Sequence, residues 1–345
     1  LIVTGVQTCA LPICVVNKFA DVPAKKPTNL RALSPNLTTL AEVLKHNGYA
    51  TGGFTGNAGV SGMFGYEQGF DTYYAPTATF GSFDGSIPKA LAWVKANRER
   101  KFFLFLHGYD CHGQNTPATG YDGRFVDPNY DRKFSGTEIE HEVLREEGIE
   151  RGRLTLRDAD VRFWRAVYDE KIQRADEKFR KFLAEYEALG LMGNTIFVVT
   201  SDHGTEVYEH RRFDHGFTLY EETLHVPLVI RLPDHAGGRR IDDRIGSIDV
   251  MPTVLELLGA TIPEKVKRQL RGRSLVPALR GQTVDRDLFF ETDYREHTFK
   301  RGVMSPDGMK FILTMETQGR ELYDLTADPT ESNNQAESKK DVADA

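Results

Sequence analysis

The residues best suited to chemistry follow one short apolar stretch of this chain. Residues 194–200 are apolar and β-branched, which is typical of a buried strand. Asp202 and His203 come directly after it, and the polar stretch that they open reaches His215. Ligands of open α/β sheets collect at the carboxyl ends of the strands, where a carboxylate beside an imidazole could hold a cation. The alternative is an ordinary turn, because Asp and Gly are both turn formers.

A second apolar stretch also ends in polar residues. Residues 101–106 are almost entirely Phe and Leu, which predicts a fully buried strand, and His107 and His112 follow it. If the two strands lie near each other in one sheet, their polar ends face the same cleft. This placement favours a functional site over a simple turn.

The elements that must position these residues alternate between strand and helix from residue 35 to 260. This alternation predicts an α/β core with a mostly parallel sheet. Helices are predicted at 40–47, with Thr38 or Thr39 as N-cap, and at 87–98, 161–189, 249–259 and 272–281. From residue 286 short strands and turns predict a small antiparallel sheet with its own helix, and the charged tail after Asn333 is expected to fray. We therefore predict a core over 14–285 and a C-terminal subdomain over 286–345, with a charged insertion at 114–160.

Composition argues against several classes of function. The chain has 345 residues, with 44 basic and 50 acidic side chains and a net charge of −6, so no basic footprint for nucleic acid is visible. No apolar stretch approaches the length of a membrane span. Three cysteines, Cys9, Cys14 and Cys111, give no disulfide framework. We expect neither a nucleic-acid partner nor a membrane span.

The first residues differ from the rest of the chain. Residues 1–16 carry no charge, and they lack the basic region and cleavage site of a signal peptide. Residues 3–13 look like the translation of a sequencing adapter, so we interpret 1–13 as a non-native leader. Cys9 would then be artefactual and Cys14 would lie at the junction. The alternative is an ordinary strand and turn.

An ordered set of segments resembles the sulfatases of the alkaline-phosphatase superfamily. The segments are Ser34-Pro35, Thr39-Leu40-Ala41-Glu42-Val43-Leu44, Gly48-Tyr49, Gly65-Tyr66, Gly69-Phe70-Asp71-Thr72-Tyr73, Phe103-Leu104-Phe105-Leu106-His107, His112-Gly113, Thr200-Ser201-Asp202-His203-Gly204, His215-Gly216, Leu219-Tyr220-Glu221-Glu222, Val226-Pro227-Leu228, Asp249-Val250-Met251-Pro252-Thr253, Gly272-Arg273-Ser274-Leu275, Glu321-Leu322-Tyr323-Asp324-Leu325 and Asp328-Pro329. The resemblance spans about residues 15–336. It implies an alkaline-phosphatase-like α/β/α sandwich with a mixed, mostly parallel sheet and a small C-terminal antiparallel sheet. It also implies a metal-dependent hydrolase of small-molecule or carbohydrate sulfate esters.

The resemblance also implies roles for the strand-end residues. Asp202 matches a ligand of a divalent cation, usually Ca²⁺, and His203 stands where the family has Asn or His beside that metal. An imidazole is a poor Ca²⁺ ligand, so Asp202 is the surer of the two. His112 matches the histidine that contacts the sulfate or the leaving oxygen. His215 stands where many relatives have lysine, and as an imidazolium it could protonate the leaving oxygen.

Two residues are assigned to the substrate side of the site. Asn57 stands near places where the family has a lysine and a histidine, and its amide could donate to a sulfate oxygen. A turn asparagine is the alternative. His107 is expected to support the site rather than to touch the substrate.

One departure from the family concerns the nucleophile. The motif Cys or Ser, x, Pro, x, Arg and the paired aspartates before it are absent from these 345 residues. Cys9-Ala10-Leu11-Pro12 is not that motif, because its proline is one place too far along and no arginine follows. A formylglycine nucleophile is therefore expected in a longer parent protein, and the chain as printed is expected to be an inactive fragment.

Two other functions stay open at this stage. A phosphoester or phosphonate-ester hydrolase has the same fold, and a non-catalytic pseudoenzyme would bind ligand only. The sequence before Val15 would discriminate: Cys or Ser in the motif favours a sulfatase, Thr favours a phospho-specific relative, and loss of the paired aspartates favours a pseudoenzyme. Many relatives are exported, so the family leads us to expect a periplasmic or secreted protein.

Overall fold

The computed structural model describes residues 2–7, 20–21, 31–77, 80–113, 121–147, 154–233, 238–294 and 298–344. Cys9, Cys14, residues 8–13 of the predicted leader, and 114–120 and 148–153 of the predicted insertion lie outside these ranges. The helices are Leu40–His46 (α1), Phe83–Asn97 (α2), Glu138–Arg145 (α3), Asp158–Ala188 (α4), Glu221–Leu224 (α5), Val250–Leu257 (α6), Glu264–Gln269 (α7), Val276–Leu279 (α8) and Lys340–Asp344 (α9). The strands are Ile2–Gln7 (β1), Ala20–Asp21 (β2), Arg31–Ala32 (β3), Ala50–Phe54 (β4), Thr72–Tyr74 (β5), Phe102–Leu106 (β6), Phe197–Thr200 (β7), Glu206–Val207 (β8), Phe213–Asp214 (β9), His225–Arg231 (β10), Arg240–Ile241 (β11), Ile245–Gly246 (β12), Leu288–Tyr294 (β13), Thr298–Met304 (β14), Met309–Thr314 (β15) and Gly319–Asp324 (β16).

Two sheets form the core. Strands β5, β4 and β6 pair in parallel in that order. The second sheet has the order β11, β1, β10, β7, with β12 also on β1, and β10 runs antiparallel to both β1 and β7. The mixed α/β class with a parallel sheet is thus confirmed. The backbone pairing of β1 does not bear on the origin of residues 1–13, and the non-native leader stays a prediction.

Helices cover both faces of the parallel sheet. Phe102, Leu104 and Leu106 of β6 pack in one cluster with side chains of α2 and α4. Phe103, which points to the other face, packs in a cluster with side chains of α1 and α6. The alternation of side chains along one apolar strand therefore builds the α/β/α layering.

Strands β6 and β7 are less buried than their composition predicts. Phe105 of β6 and Val199 of β7 are each 37% exposed. Within the described residues β6 pairs only with β4, and β7 pairs only with β10. The predictions of a fully buried strand for β6 and of a buried strand for β7 are wrong, because each strand has one edge without a neighbouring strand in the described part of the chain.

The long helix α4 turns charged side chains inward. It begins at Asp158, three residues before the predicted start, and Ile172 of the predicted apolar stripe is 44% exposed. Glu170 and Lys171 are buried instead. These charges are tolerated because loops satisfy them: backbone amides of Asp122 and Gly123 donate to Glu170, and Lys171 donates to a loop carbonyl.

Helix α1 agrees with its prediction, whereas helix α2 begins earlier than predicted. Thr39 caps α1 in a capping box with Glu42, as one of the two predicted caps. Helix α2 begins at Phe83, four residues before its predicted start, because Ser82 caps it and Asp110 accepts from the Phe83 amide.

The C-terminal region forms the predicted antiparallel sheet, with strands in the order β13, β14, β15, β16. The expectation of a frayed tail after Asn333 is wrong. Ala336 and Ala343 are buried in a cluster with Leu322, and α9 lies in the same tail. Within the described residues no helix combines the length and apolarity that a membrane crossing requires.

Candidate functional site

Three histidines from separate parts of the sequence meet at the ends of β6 and β7. The ring centroids of His203 and His215 lie 3.8 Å apart in a stacked arrangement. The His112 ring lies 5.1 Å from that of His215 and 6.3 Å from that of His203, with its plane nearly perpendicular to both. The structure thus brings the two predicted catalytic histidines together with one predicted metal ligand.

The loop after β6 is held from the α4 side. The Lys171 ammonium donates to the carbonyl of His112 over 3.0 Å, and Lys178 donates to Asp110 over 2.8 Å. Burial lowers the pKa of Lys171 to about 8. The backbone that carries His112 is therefore fixed by a buried side chain, and His112 itself stacks on Phe80 at 5.0 Å.

The turn after β7 requires its glycine. A Cβ on Gly204 would stand 2.0 Å from the carbonyl oxygen of Glu222, which leaves no room for any side chain. The close approach allows the Gly204 amide to donate to the Thr223 carbonyl over 2.9 Å. The Gly204 carbonyl lies 2.8 Å from Nδ1 of His203 and so orients that ring. Gly204 therefore acts as a turn former, and the functional role of Asp202 and His203 stays a prediction.

A buried carboxylate orients His215. Asp214 is 1% exposed, and its Oδ1 lies 2.5 Å from Nδ1 of His215. Its Oδ2 lies 2.7 Å from Nε of Arg145, which α3 supplies. Asp214 has a φ of 81°, a left-handed conformation that an L residue adopts only when its surroundings fix it.

Burial keeps two of the imidazoles neutral. It lowers the pKa of His112 to about 3, with a further contribution from His215. Burial, followed by His215, also lowers the pKa of His203. For Asp214 burial raises the pKa, but His215 outweighs it and the pKa lies well below its ordinary value. At neutral pH the site therefore holds two neutral imidazoles beside an ionised carboxylate.

Asp202 and His107 lie beside this cluster. The Asp202 side chain is 71% exposed, and its Oδ2 stands 3.7 Å from Nε2 of His203. Crowding by protein atoms raises the Asp202 pKa, but His203 and His107 lower it below its ordinary value. His107 packs against Tyr109 with ring centroids 4.7 Å apart, and burial lowers its pKa.

Asn57 does not aim its amide at the histidines. Its Nδ2 donates to the carbonyl of Pro76 over 2.6 Å, and its own carbonyl accepts from the Tyr109 hydroxyl over 3.2 Å. Its φ of 67° is typical of a turn asparagine. Assignment of Asn57 to a sulfate oxygen stays a prediction.

The residues at this site form a candidate metal centre. His112, His203 and His215 each offer a ligand atom, and these atoms lie within 4.8 Å of one another. Ca²⁺ takes six to eight oxygen ligands, as a rule. The three imidazoles offer nitrogen, and Asp202 is the carboxylate that stands beside them. Taken by themselves, the described residues do not fit Ca²⁺.

Three residues that support the site were not assigned from sequence. Asp214 belongs to the polar stretch after β7, but its link to His215 depends on a turn that sequence does not specify. Arg145 was placed in a solvated charged region, whereas α3 buries it. The sequence feature that could have identified Lys171 is its position four residues after the buried Val167, which places both side chains on the same face of α4.

Comparison with known proteins decides the family. The sequence profile of the family described as "Sulfatase" matches residues 6–260. The chain belongs to the sulfatase family. A second profile, described as "N-sulphoglucosamine sulphohydrolase, C-terminal", matches residues 208–344.

Individual sulfatases show the same relationship over part of their length. Arylsulfatase K of Xenopus laevis is 28% identical over 194 residues, which are 52% of this chain and 35% of that protein. The N-acetylglucosamine-6-O-sulfatase of Bacteroides thetaiotaomicron is 32% identical over 169 residues, 46% of this chain and 29% of that protein. These matches span about a third of the relatives' own length.

Solved structures share the fold. A complex of one protein with its substrate D-glucosamine-2-N,6-O-disulfate superposes with a TM-score of 0.71 at 20% identity, over 91% of this chain and 81% of that chain. A phosphonate monoester hydrolase from Silicibacter pomeroyi gives a TM-score of 0.67 at 19% identity, over 92% and 79% of the two chains. The alkaline-phosphatase-like fold expected from the sequence is confirmed.

The buried carboxylate makes a pH-dependent contribution to stability. Because the pKa of Asp214 is lowered on folding, the stabilisation is present above the ordinary Asp pKa of about 3.9 and is lost as the pH falls below it. We expect Asp214→Asn to lower the free energy of unfolding by roughly 2 kcal/mol at pH 7, and by less as the pH falls from about 5 to about 3. Urea denaturation across this range measures the difference.

The matched control is Asp242→Asn, which alters an exposed carboxylate that pairs with Arg240. Exposed ion pairs contribute little, so this variant should match the parent chain at each pH. A cost of Asp214→Asn that stays constant from neutral to acid pH would contradict the buried ionised carboxylate.

Proposed function

We propose that this protein acts on sulfate esters, as a hydrolase that cleaves the ester between sulfate and an organic alcohol. The convergence of His112, His203 and His215 at the ends of β6 and β7 carries the proposal. Membership of the sulfatase family supports it.

Different residues of the site carry out substrate binding and proton transfer. His215, whose Nδ1 lies beside the Asp214 carboxylate, protonates the leaving oxygen through its other ring nitrogen. His112 is neutral near pH 7 and forms a hydrogen bond to the ester. The family's nucleophile motif, Cys or Ser, x, Pro, x, Arg, does not occur among these 345 residues, so no residue of this chain is assigned to the attack on sulfur.

The described residues supply fewer oxygen ligands than the Ca²⁺ site that the family resemblance implies. A Ca²⁺ ion would offset charge on the sulfate oxygens if oxygen ligands completed its shell. Asp202 is the residue of this chain that would bind it. Because the described donors do not fit Ca²⁺, no step is assigned to that ion.

A sugar sulfate is the substrate class that the relatives favour. One relative is an N-acetylglucosamine-6-O-sulfatase, and one structural neighbour was solved with D-glucosamine-2-N,6-O-disulfate as its substrate. The second profile match is also to an enzyme of sulfated glucosamine. We therefore propose N-acetylglucosamine 6-sulfate as the substrate of this protein.

A phosphonate-ester hydrolase is the second candidate. The similarity to the phosphonate monoester hydrolase of Silicibacter pomeroyi favours it, although at 19% identity it shows the fold alone. Phosphonate and sulfate monoesters have similar shapes, so the comparison must be made with matched leaving groups.

Binding tests the site without requiring turnover. We expect the chain to bind N-acetylglucosamine 6-sulfate in isothermal titration calorimetry and to bind unsulfated N-acetylglucosamine much more weakly. His112→Ala and His215→Ala should each weaken binding of the sulfated sugar about 10- to 100-fold, because each removes a hydrogen bond to a charged group.

The control is His46→Ala, an exposed histidine on α1, which should bind as the parent chain does. Equal affinity for sulfated and unsulfated sugar would contradict the proposed function. Preference for a phosphonate ester over the matching sulfate ester would favour the second candidate.

Turnover tests whether this chain carries its own nucleophile. We expect no hydrolysis of 4-nitrophenyl sulfate by the chain as printed. A chimera in which the nucleophile segment of the Bacteroides thetaiotaomicron N-acetylglucosamine-6-O-sulfatase replaces residues 1–13 should gain turnover once mass spectrometry confirms formylglycine. His215→Ala in that chimera should abolish the gain.

Two outcomes of the turnover experiment would contradict these expectations. Turnover by the printed chain would show that the nucleophile lies within it. A folded chimera that carries formylglycine and binds the sulfated sugar, but does not hydrolyse it, would favour the pseudoenzyme.

A further inference from the structure

The segment between His215 and β10, residues 216–224, packs on the C-terminal sheet. Leu219 and Leu224 of this segment are fully buried. Both lie in one apolar cluster with side chains of β13, β14, β15 and β16. The C-terminal sheet therefore supports a segment that begins directly after a histidine of the site.

A buried lysine of β15 joins this segment to the C-terminal part of the chain. The Lys310 side chain is fully buried, and its Nζ lies 2.9 Å from Oε1 of Glu221 and 2.8 Å from Oε1 of Glu331. Oε2 of Glu331 accepts from the backbone amide of Glu221 over 2.7 Å. Lys310 and Glu331 thus hold Glu221 at both its side chain and its backbone.

Burial fixes this arrangement. A buried charge is stable only when its partners compensate it, so Lys310 and Glu331 cannot separate without a large cost in free energy. The Glu331 side chain is fully buried as well. Its φ of 49° is a left-handed conformation that an L residue adopts only when its surroundings fix it.

Two further hydrogen bonds tie residues 216–224 to the same sheet. The Thr292 hydroxyl of β13 donates over 2.6 Å to the carbonyl of Gly216, the residue directly after His215. The Tyr220 hydroxyl donates over 2.6 Å to Oε2 of Glu321, which belongs to β16. The backbone is therefore anchored from its first residue beside His215.

The far end of the segment contacts the turn after β7. The Thr223 carbonyl accepts from the Gly204 amide, and the Gly204 carbonyl lies beside Nδ1 of His203. A shift of the segment would therefore move two rings of the site. It would displace His215 through Gly216 and His203 through Thr223.

We propose that Lys310 is a positioning residue for the histidine site. Through Glu221 and Glu331 it fixes residues 216–224, and through them the ring positions of His203 and His215. Because Lys310 is buried in the C-terminal sheet, it acts through the backbone of this segment and not on a ligand. The expected effect on ester binding rests on the proposed function, whereas the effect on the His215 ring does not.

The test removes the ammonium without leaving a buried carboxylate unpaired. Lys310→Met alone would leave Glu331 charged and buried, which destabilises the fold. The informative variant therefore combines Lys310→Met with Glu331→Gln, whose amide oxygen can still accept from the Glu221 backbone. Circular dichroism and urea denaturation establish that this double variant is folded.

Two controls accompany the double variant. Glu331→Gln alone keeps the Lys310 ammonium beside Glu221. Arg320→Met breaks an ion pair with Asp344 at another place on the same sheet. Both controls should leave the site as it is in the parent chain.

Proton NMR measures the position of the His215 ring. A ring N–H in a short hydrogen bond to a carboxylate resonates far downfield, and Nδ1 of His215 lies 2.5 Å from Asp214. The parent chain and both controls should show this resonance, which His215→Ala identifies by removing it. The double variant should show it shifted upfield or lost to solvent exchange. A change of stability alone leaves the resonance of a folded chain in place.

Binding of N-acetylglucosamine 6-sulfate is the second measurement. The double variant should bind this sugar about 2- to 30-fold more weakly than Arg320→Met does, because the rings that receive the ester are displaced. Equal affinity in the two variants would contradict the positioning role.

The resonance separates this proposal from the proposed function. An unchanged His215 resonance in the folded double variant, or its absence from the parent chain, overturns the positioning role whether or not the sugar binds. A resonance that the double variant loses, in a chain whose parent does not bind the sulfated sugar, would support the positioning role and contradict the proposed function.

Discussion

The carboxylate of Asp214 is the interaction on which the site depends. It is buried between Arg145 of α3 and His215, in a backbone conformation that few side chains adopt. A buried carboxylate is stable only when its partners compensate its charge, so the three side chains fix one another. His203 then stacks on the oriented His215 ring, and His112 packs across both.

The second support is the inward charged face of α4. Lys171 and Lys178 bind the loop after β6, and Glu170 binds the backbone of residues 122 and 123. A purely apolar helix face would pack against the sheet but would leave these loop groups unpaired. The helix therefore acts both as a layer of the sandwich and as the frame that carries His112 to the other histidines.

Sequence predicted much of the fold and the meeting of the strand-end histidines. Local patterns were enough to predict the apolar strands and the Asp-His-Gly turn. Family resemblance added His112 and His215 as candidate site residues. Lys171 could not, because its role depends on which face of α4 turns inward. The exposure of Phe105 and Val199 could not be predicted either, since it depends on strand pairing between distant segments. The engagement of Asn57 with Pro76 is likewise a tertiary contact.

The central claim is that His112, His203 and His215 form one site that receives a sulfate ester. A crystal structure of the chain with N-acetylglucosamine 6-sulfate tests it most directly. We expect the sulfate group within hydrogen-bonding distance of His112 and His215, with His215 still paired to Asp214. A sulfated sugar bound elsewhere, with the three imidazoles separated from one another, would contradict the claim.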